Sequence, residues 1–187
     1  MSRTKLFVIS GPSGCGKTTI AKEILQRHPE FIFSISATTR SKRTVEVDCK
    51  DYFFITRVEF EDKIRQDELA EWEQIYGDYY GSLKSEINRA IGVGTSILFD
   101  VDVKGALSIK NKYSKDTVTI FVKPPSIEQL TERLKNRKTE TPETFIRRME
   151  RVEMEIKLAQ EFDYTIINDN LEKAVIRVDE IISRSIQ

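Results

Sequence analysis

The stretch Gly11-Pro12-Ser13-Gly14-Cys15-Gly16-Lys17-Thr18 decides the fold. An apolar run, Leu6-Phe7-Val8-Ile9, precedes it, and Ile20, Ala21, Ile24 and Leu25 follow at helical spacing. Strand, glycine-rich loop and helix in that order are the context in which the spacing G-x-x-x-x-G-K-[ST] cradles phosphate. The glycines let the backbone bend so that several N–H groups point inward, and the start of the helix adds its positive dipole end. Lys17 is placed to reach the β- and γ-phosphates of a nucleoside triphosphate, and the Thr18 hydroxyl to sit on Mg²⁺. Cys15 occupies a variable loop position and reads as a small residue, not a nucleophile.

Outward from this loop, the chain is 187 residues long, enough for one domain with a sizeable core. Lys plus Arg total 30 and Asp plus Glu total 30, so no global charge favours nucleic acid or a membrane surface. Any anion site must come from local clusters. The two cysteines, Cys15 and Cys49, suggest neither a disulfide framework nor a zinc site. The single histidine, His28, falls near a helix end and reads as a surface or cap residue. No signal peptide or membrane-length apolar run is visible, which makes a cytoplasmic location the expectation.

Apolar periodicity predicts an alternation of elements. Strands are expected at 6–9, 31–36, 51–55, 96–100, 117–122 and 164–167. Helices are expected from about 20 to 28, 58 to 69, 83 to 91, 103 to 113, 126 to 134, 142 to 162 and 171 to 185. The segment 36–43 is polar and basic and reads as a loop, and Gly77-Asp78-Tyr79-Tyr80-Gly81-Ser82 reads as a glycine-bounded turn. Asn136 to Thr141 reads as a polar, mobile tip. The alternation predicts an α/β fold with a mostly parallel sheet, whose ligands bind at the carboxyl ends of strands. The phosphate loop, Ser36, Asp100 and Asn168 all fall at such ends. Asp100 closes an apolar strand and is expected to orient the metal ion or its waters.

Two arginine groups stand out, Arg40 with Arg43, and Arg137 with Arg147 and Arg148. Arginine grips phosphate oxygens two at a time. Two groups flanking a triphosphate site suit a second phosphorylated substrate and a closing lid. Tyr52 and Tyr80 add hydroxyl donors. Glu71 is the acidic member of this region. Guanine presents N1–H and N2–H₂ side by side, and one carboxylate can accept both.

Taken jointly, the blocks Ser10-Gly11-Pro12-Ser13-Gly14, Phe33-Ser34-Ile35-Ser36, Thr38-Thr39-Arg40, Lys50-Asp51-Tyr52, Glu71-Trp72, Gly77-Asp78-Tyr79-Tyr80-Gly81 and Asp100-Val101-Asp102 resemble the guanylate kinase family. So do Pro124-Pro125-Ser126, Arg133-Leu134-Lys135-Asn136-Arg137, Thr139-Glu140-Thr141 and Asn168-Asp169, so the resemblance spans nearly the whole chain. It implies a P-loop three-layer αβα core at about 1–34, 91–126 and 158–187, with a GMP-binding subdomain at about 35–90 and a helical lid at about 127–157. It implies phosphoryl transfer from ATP to GMP or dGMP with Mg²⁺, in line and without a general base. Gly11 to Thr19, Thr19 included, and Asn168 would bind ATP. Ser36 and Glu71 would read guanine; Arg40, Arg43, Tyr52 and Tyr80 would hold the GMP phosphate, with Ser82 close by. Lys17, Arg137 and Arg148 would stabilise the transferring group. Asp100 would serve both GMP and the metal, the latter with Thr18 and through water. No nucleic acid, membrane or obligate protein partner is implied.

The chain departs from that pattern at Lys42, Val45 and Cys49, where the family usually carries proline, glycine and glycine. Two other readings remain open at this level. One is a kinase of a different monophosphate or small molecule. The other is a non-enzymatic guanylate-kinase-like scaffold, which the intact Gly16-Lys17-Thr18 disfavours.

Overall fold

The structure is a computed structural model and describes residues 4–135 and 142–186. The elements in chain order are β1 (Leu6–Ser10), α1 (Lys17–Arg27), β2 (Ile32–Phe33), β3 (Ser36–Thr38), β4 (Phe53–Phe54), α2 (Arg57–Arg65), β5 (Leu69–Ile75) and β6 (Asp78–Leu83). They continue with α3 (Lys84–Val93), β7 (Ile97–Asp100), α4 (Val103–Lys112), β8 (Thr117–Lys123), α5 (Ile127–Lys135), α6 (Pro142–Lys157), a 3₁₀ turn (Leu158–Glu161), β9 (Tyr164–Ile167) and α7 (Leu171–Ile186).

Five strands pair in the order β2-β7-β1-β8-β9, all parallel. The central strand β1 is apolar throughout because both of its faces are covered. Phe7 and Ile9 point into a core shared with Ile20 and Ile24 of α1 and Val175, Val178 and Ile182 of α7. Leu6 and Val8 point the other way, onto Ile87 of α3, Val103, Ala106 and Ile109 of α4, and Phe162. Helices on both faces of a parallel sheet give the expected three layers.

A second sheet of four strands, in the order β4-β3-β6-β5, stands apart from the first. Several sequence expectations change here. The strand expected at 31–36 is two pieces. β2 belongs to the parallel sheet, and after Ser34 and Ile35 the chain enters the second sheet as β3, so the first residues of the expected 36–43 loop are a strand. The helix expected at 58–69 is α2, closed at its start by a Thr56–Glu59 capping box; it stops at Arg65, and Leu69 opens β5. The expected turn at 77–82 is the strand β6. The turn proper is Tyr76-Gly77, both at positive φ, joining β5 and β6 as a hairpin. The long helix expected to reach Phe162 ends at Lys157 and tightens into the 3₁₀ turn.

Helix α6 keeps the apolar stripe read from sequence. Phe145, Met149, Val152 and Ile156 pack around Leu130 of α5. The expected tip at Asn136 to Thr141, and Arg137 with it, lies outside the described residues. Among the described residues no helix is long and apolar enough to cross a membrane.

Candidate active site

A cleft of about 790 Å³ lies between the phosphate loop and the second sheet and is also lined by residues of α6. Gly11, Ser13, Gly14, Gly16, Lys17, Thr18 and Thr19 form one wall. Lys17 Nζ donates to the carbonyls of Gly11 at 2.7 Å and Pro12 at 3.2 Å, so its ammonium is held inside the loop. Thr18 Oγ1 donates to Asp100 Oδ2 at 2.5 Å, which brings the two expected metal-associated groups together.

Pro12, Cys15 and Asn168 do not line the cleft. Asn168 sits behind the loop, buried, and its amide donates to the Cys15 carbonyl at 2.8 Å. Gly16 adopts a left-handed conformation, φ 99°, and a Cβ there would collide with the Asn168 amide. The loop is thus closed from beneath by a residue far along the chain.

The opposite wall is built by strand register. Ser36 of β3 pairs with Ser82 of β6, and Ser82 pairs with Glu71 of β5. The three residues therefore form one row across the sheet. Ser82 Oγ donates to Glu71 Oε1 at 2.7 Å. The other carboxylate oxygen of Glu71 lies against Gly105 in the first turn of α4; a Cβ at Gly105 would come within 2.6 Å of it. Glycine at 105 leaves the room that the buried carboxylate occupies. The next row along the sheet is Thr38, Tyr80 and Glu73.

Tyr52 and Arg43 line the cleft, whereas Arg40 sits beside it. Arg40 donates from both ends of its fork to Glu46, at 3.0 and 2.8 Å, and its guanidinium lies over the rings of Tyr52 and Phe54. Arg43 has a largely exposed side chain, and its backbone N–H donates to Glu46 at 2.8 Å. Tyr52 and Tyr80 meet edge to face, 6.2 Å between ring centres. Arg148 reaches the cleft from α6, with its guanidinium 5.5 Å from the centre of the Tyr76 ring. The expected site residues within the described chain therefore gather around one cleft, directly or one layer behind it.

The guanylate kinase family model matches residues 3–185. The guanylate kinase of Thermotoga maritima is 47% identical over 95% of this chain and 86% of its own length. That of Gloeobacter violaceus is 43% identical over 98% of this chain and 89% of its own. The crystal structure of guanylate kinase from Anaplasma phagocytophilum superposes with a TM-score of 0.84 at 28% identity, covering 100% of this chain and 88% of that one.

The chain belongs to the guanylate kinase family.

Several residues in the cleft wall of this guanylate kinase family member, or beside it, were not singled out as site residues from sequence. Arg151 of α6 donates to Glu73 at 3.2 and 2.9 Å and to Glu155 at 2.7 Å, and lies 3.7 Å from Asp102. Lys104 adds a contact to Glu73 at 3.5 Å. Glu46 is the buttress of Arg40. The period-2 placement of Glu73 after Glu71 is the one sequence signal that could have found it.

The electrostatics follow from burial. Burial raises the Glu71 carboxyl to about 7, against the hydrogen bond from Ser82 that favours the charged form. Asp102 is also raised to about 7, by burial first and then by Glu73 beside it. Burial lifts Asp100, opposed by Lys17 and the Thr18 hydroxyl. For Lys17, burial disfavours the charge, but Cys15, Asp100, Glu155 and Asp102 outweigh it and hold the ammonium above its ordinary value. Burial, with Asp100 and Tyr80 adding to it, pushes the Tyr52 phenol up to about 12, so it is neutral near pH 7.

Proposed function

We propose that the chain phosphorylates GMP to GDP with ATP as donor, releasing ADP, and accepts dGMP in the same way. The observation that carries this reading is Glu71. Its carboxylate is enclosed between β5 and α4, held by Ser82, and lines the same cleft as Lys17. A carboxylate in that setting matches the adjacent N1–H and N2–H₂ donors of guanine.

The parallel-sheet core would hold ATP, with residues at about 35–90 holding GMP and about 127–157 acting as lid. Ser36 joins Glu71 in reading the base. Arg40, Arg43, Tyr52 and Tyr80 bind the acceptor phosphate. Glu46 keeps the Arg40 fork in a fixed orientation, which lowers the ordering cost of binding. Lys17 faces the β- and γ-phosphates and stabilises charge on the group in transfer. Arg148, and Arg137 from the lid tip, supply further positive charge there. Asn168 supports the loop from behind, near the adenine side.

Among the described residues no group of three or more His, Cys, Asp or Glu side chains is arranged to hold a metal ion. One hydroxyl beside one carboxylate, Thr18 with Asp100, suits instead an ion that keeps its waters and the phosphates of its nucleotide, as Mg²⁺ does. Thr18 would hold it directly and Asp100 through water. When bound, Mg²⁺ neutralises charge on the β- and γ-oxygens.

No general base is needed. The second pKa of a phosphomonoester is near ~6, so the acceptor oxygen is already charged at neutral pH. The protein's work is to align two phosphates and exclude water. A cytoplasmic location suits these substrates.

A coupled ADP-release assay with GMP, dGMP, AMP, UMP and CMP tests the reading. GMP should be preferred over AMP by ~10⁴-fold in kcat/KM, the scale reached by sites built on hydrogen bonds to the substrate. Comparable rates with AMP or a pyrimidine would overturn it.

A further inference from the structure

Helix α6 meets the second sheet at Glu73 of β5 and at Tyr76 in the turn that follows it. Alternate residues of a strand share a face, so Glu73 lies on the face of β5 that carries the cleft residues Glu71 and Ile75. Glu73 is also the cross-strand neighbour of Tyr80. It therefore adjoins both the proposed base reader and a proposed phosphate ligand. From α6, Arg151 meets Glu73 with two hydrogen bonds, and Arg148, one turn earlier, meets Tyr76 in the turn after that strand. The Arg151 and Glu73 side chains are only 18% and 13% exposed, unlike an ordinary solvated surface pair.

The surrounding charges sharpen the point. Glu155 and Asp102 also face Arg151, and Glu73 has Lys104 as a second cation. With α6 docked, Arg151 sits among three carboxylates from three places: the helix itself, the second sheet and the end of the parallel core. Undocking of α6 would carry Arg151 and Glu155 away together and leave Glu73 and Asp102 facing one another.

We propose that Glu73 and Arg151 are positioning residues that couple binding of the monophosphate acceptor to docking of α6, and so to the placement of Arg148. The proposal rests on the reading of Glu71 and Tyr80 as acceptor ligands. A ligand shifts a conformational equilibrium only through different affinity for its two states. Here the difference arises because an acceptor held by Glu71 and Tyr80 fixes the stretch of β5 and β6 that carries Glu73. The bidentate pair then forms with less ordering cost. Coupling is reciprocal, so docking of α6 over the triphosphate must tighten the acceptor by the same factor.

The experiment is calorimetric titration of GMP with and without a non-hydrolysable ATP analogue. The proteins are the parent chain, Arg151→Met, Glu73→Gln, the double variant and Arg151→Lys. In the parent, the analogue should tighten GMP by about tenfold, within the usual range of coupling between sites. In Arg151→Met, Glu73→Gln and the double variant alike, that factor should fall below about twofold, as expected if the two residues act as one unit. The affinity for each ligand alone should stay within about threefold, and Arg151→Lys should recover part of the coupling.

Thermal unfolding of the same proteins separates a merely structural role, which lowers Tm and leaves the coupling factor intact. Folded variants that keep the parent's factor overturn the proposal, as does a parent in which the analogue leaves GMP affinity unchanged. A parent that shows coupling without turning over GMP would overturn the proposed function and leave the coupling standing.

Discussion

The side-chain amide of Asn168 donates to the backbone carbonyl of Cys15 at 2.8 Å, joining the end of β9 to the middle of the phosphate loop. Cys15 is fully buried, so without this amide its carbonyl would lose a buried donor. Removing the partner of a buried polar group costs about 1–3 kcal/mol. Asn168→Ala should therefore lower unfolding stability by about 2 kcal/mol and raise the KM for ATP, with the KM for GMP little changed. Urea unfolding and initial rates check both. Unchanged stability would mean that the loop carbonyl finds another donor.

Lys17 shows the opposite balance. Its ammonium bonds two loop carbonyls at the cleft wall. Lys17→Ala should keep the fold, because water can reach those carbonyls once the side chain is gone. Transfer should fall by ~10²-fold or more, the usual loss when one preorganised charge-stabilising group is removed. Single-turnover rates with saturating substrates measure it, with circular dichroism reporting the fold. Near-normal turnover in a folded variant would exclude Lys17 from the chemistry.

Arg40 and Arg43 should separate by burial. Arg40 is bonded at both ends to Glu46, and these two side chains are only 15% and 13% exposed. Arg43 is 64% exposed. Both Arg40→Ala and Arg43→Ala should raise the KM for GMP and spare the affinity of the free enzyme for ATP. Only Arg40→Ala should also lower Tm, because it strips Glu46 of its main partner. Equal weakening of ATP binding would overturn the assignment to the acceptor phosphate.

The parts of this molecule that sequence made legible are those with short-range signals. The phosphate loop carries its own spacing, and β1 and β7 are apolar because both faces are covered. Asp100 stands where such a strand ends. The β5–β6 hairpin was not legible, because its turn is Tyr76-Gly77, with a tyrosine at φ 54° where Asn or Asp would have announced it. Nor was the splitting of 31–36 between two sheets, since alternation along a strand does not say which sheet it joins. Glu73 lies in a stretch for which no strand was expected, and Arg151 is one of several arginines on the expected helix at 142–162. Their meeting depends on tertiary placement of α6, which local pattern does not encode. The same holds for Gly105, whose missing Cβ makes room for Glu71 across 34 residues of chain.

Base choice should collapse when Glu71 loses its charge. Glu71→Gln keeps the shape but replaces one acceptor oxygen with a donor amide. GMP efficiency should fall by at least ~2 kcal/mol, the scale of a hydrogen bond involving a charged group. AMP, which has an acceptor at N1 and no N2 amine, should lose less or gain. The ratio of kcat/KM values for GMP and AMP in the two proteins is the measurement. An unchanged ratio would mean that Glu71 does not read the base.

The raised Glu71 pKa gives that site a pH signature. Burial moves its carboxyl from 4.5 to about 7 in the free protein. Only the carboxylate accepts from both N1–H and N2–H₂, so GMP binds the deprotonated form and lowers the pKa of Glu71 in the complex. The sign follows: affinity is full well above pH 7 and weakens as pH falls through it, with about half a proton released on binding at pH 7 and close to one at pH 6. Between pH 8 and pH 6 the Kd for GMP should rise by about tenfold from this group alone. The phosphate of GMP, with its second pKa near ~6, adds only about twofold over the same range. Glu71→Gln removes the titrating carboxyl, so its pH dependence should shrink to the phosphate contribution, though its affinity is lower at every pH. Calorimetry in buffers of different ionisation enthalpy measures both the slope and the proton count. A parent slope no steeper than that of Glu71→Gln would show that the carboxyl is already ionised before GMP arrives.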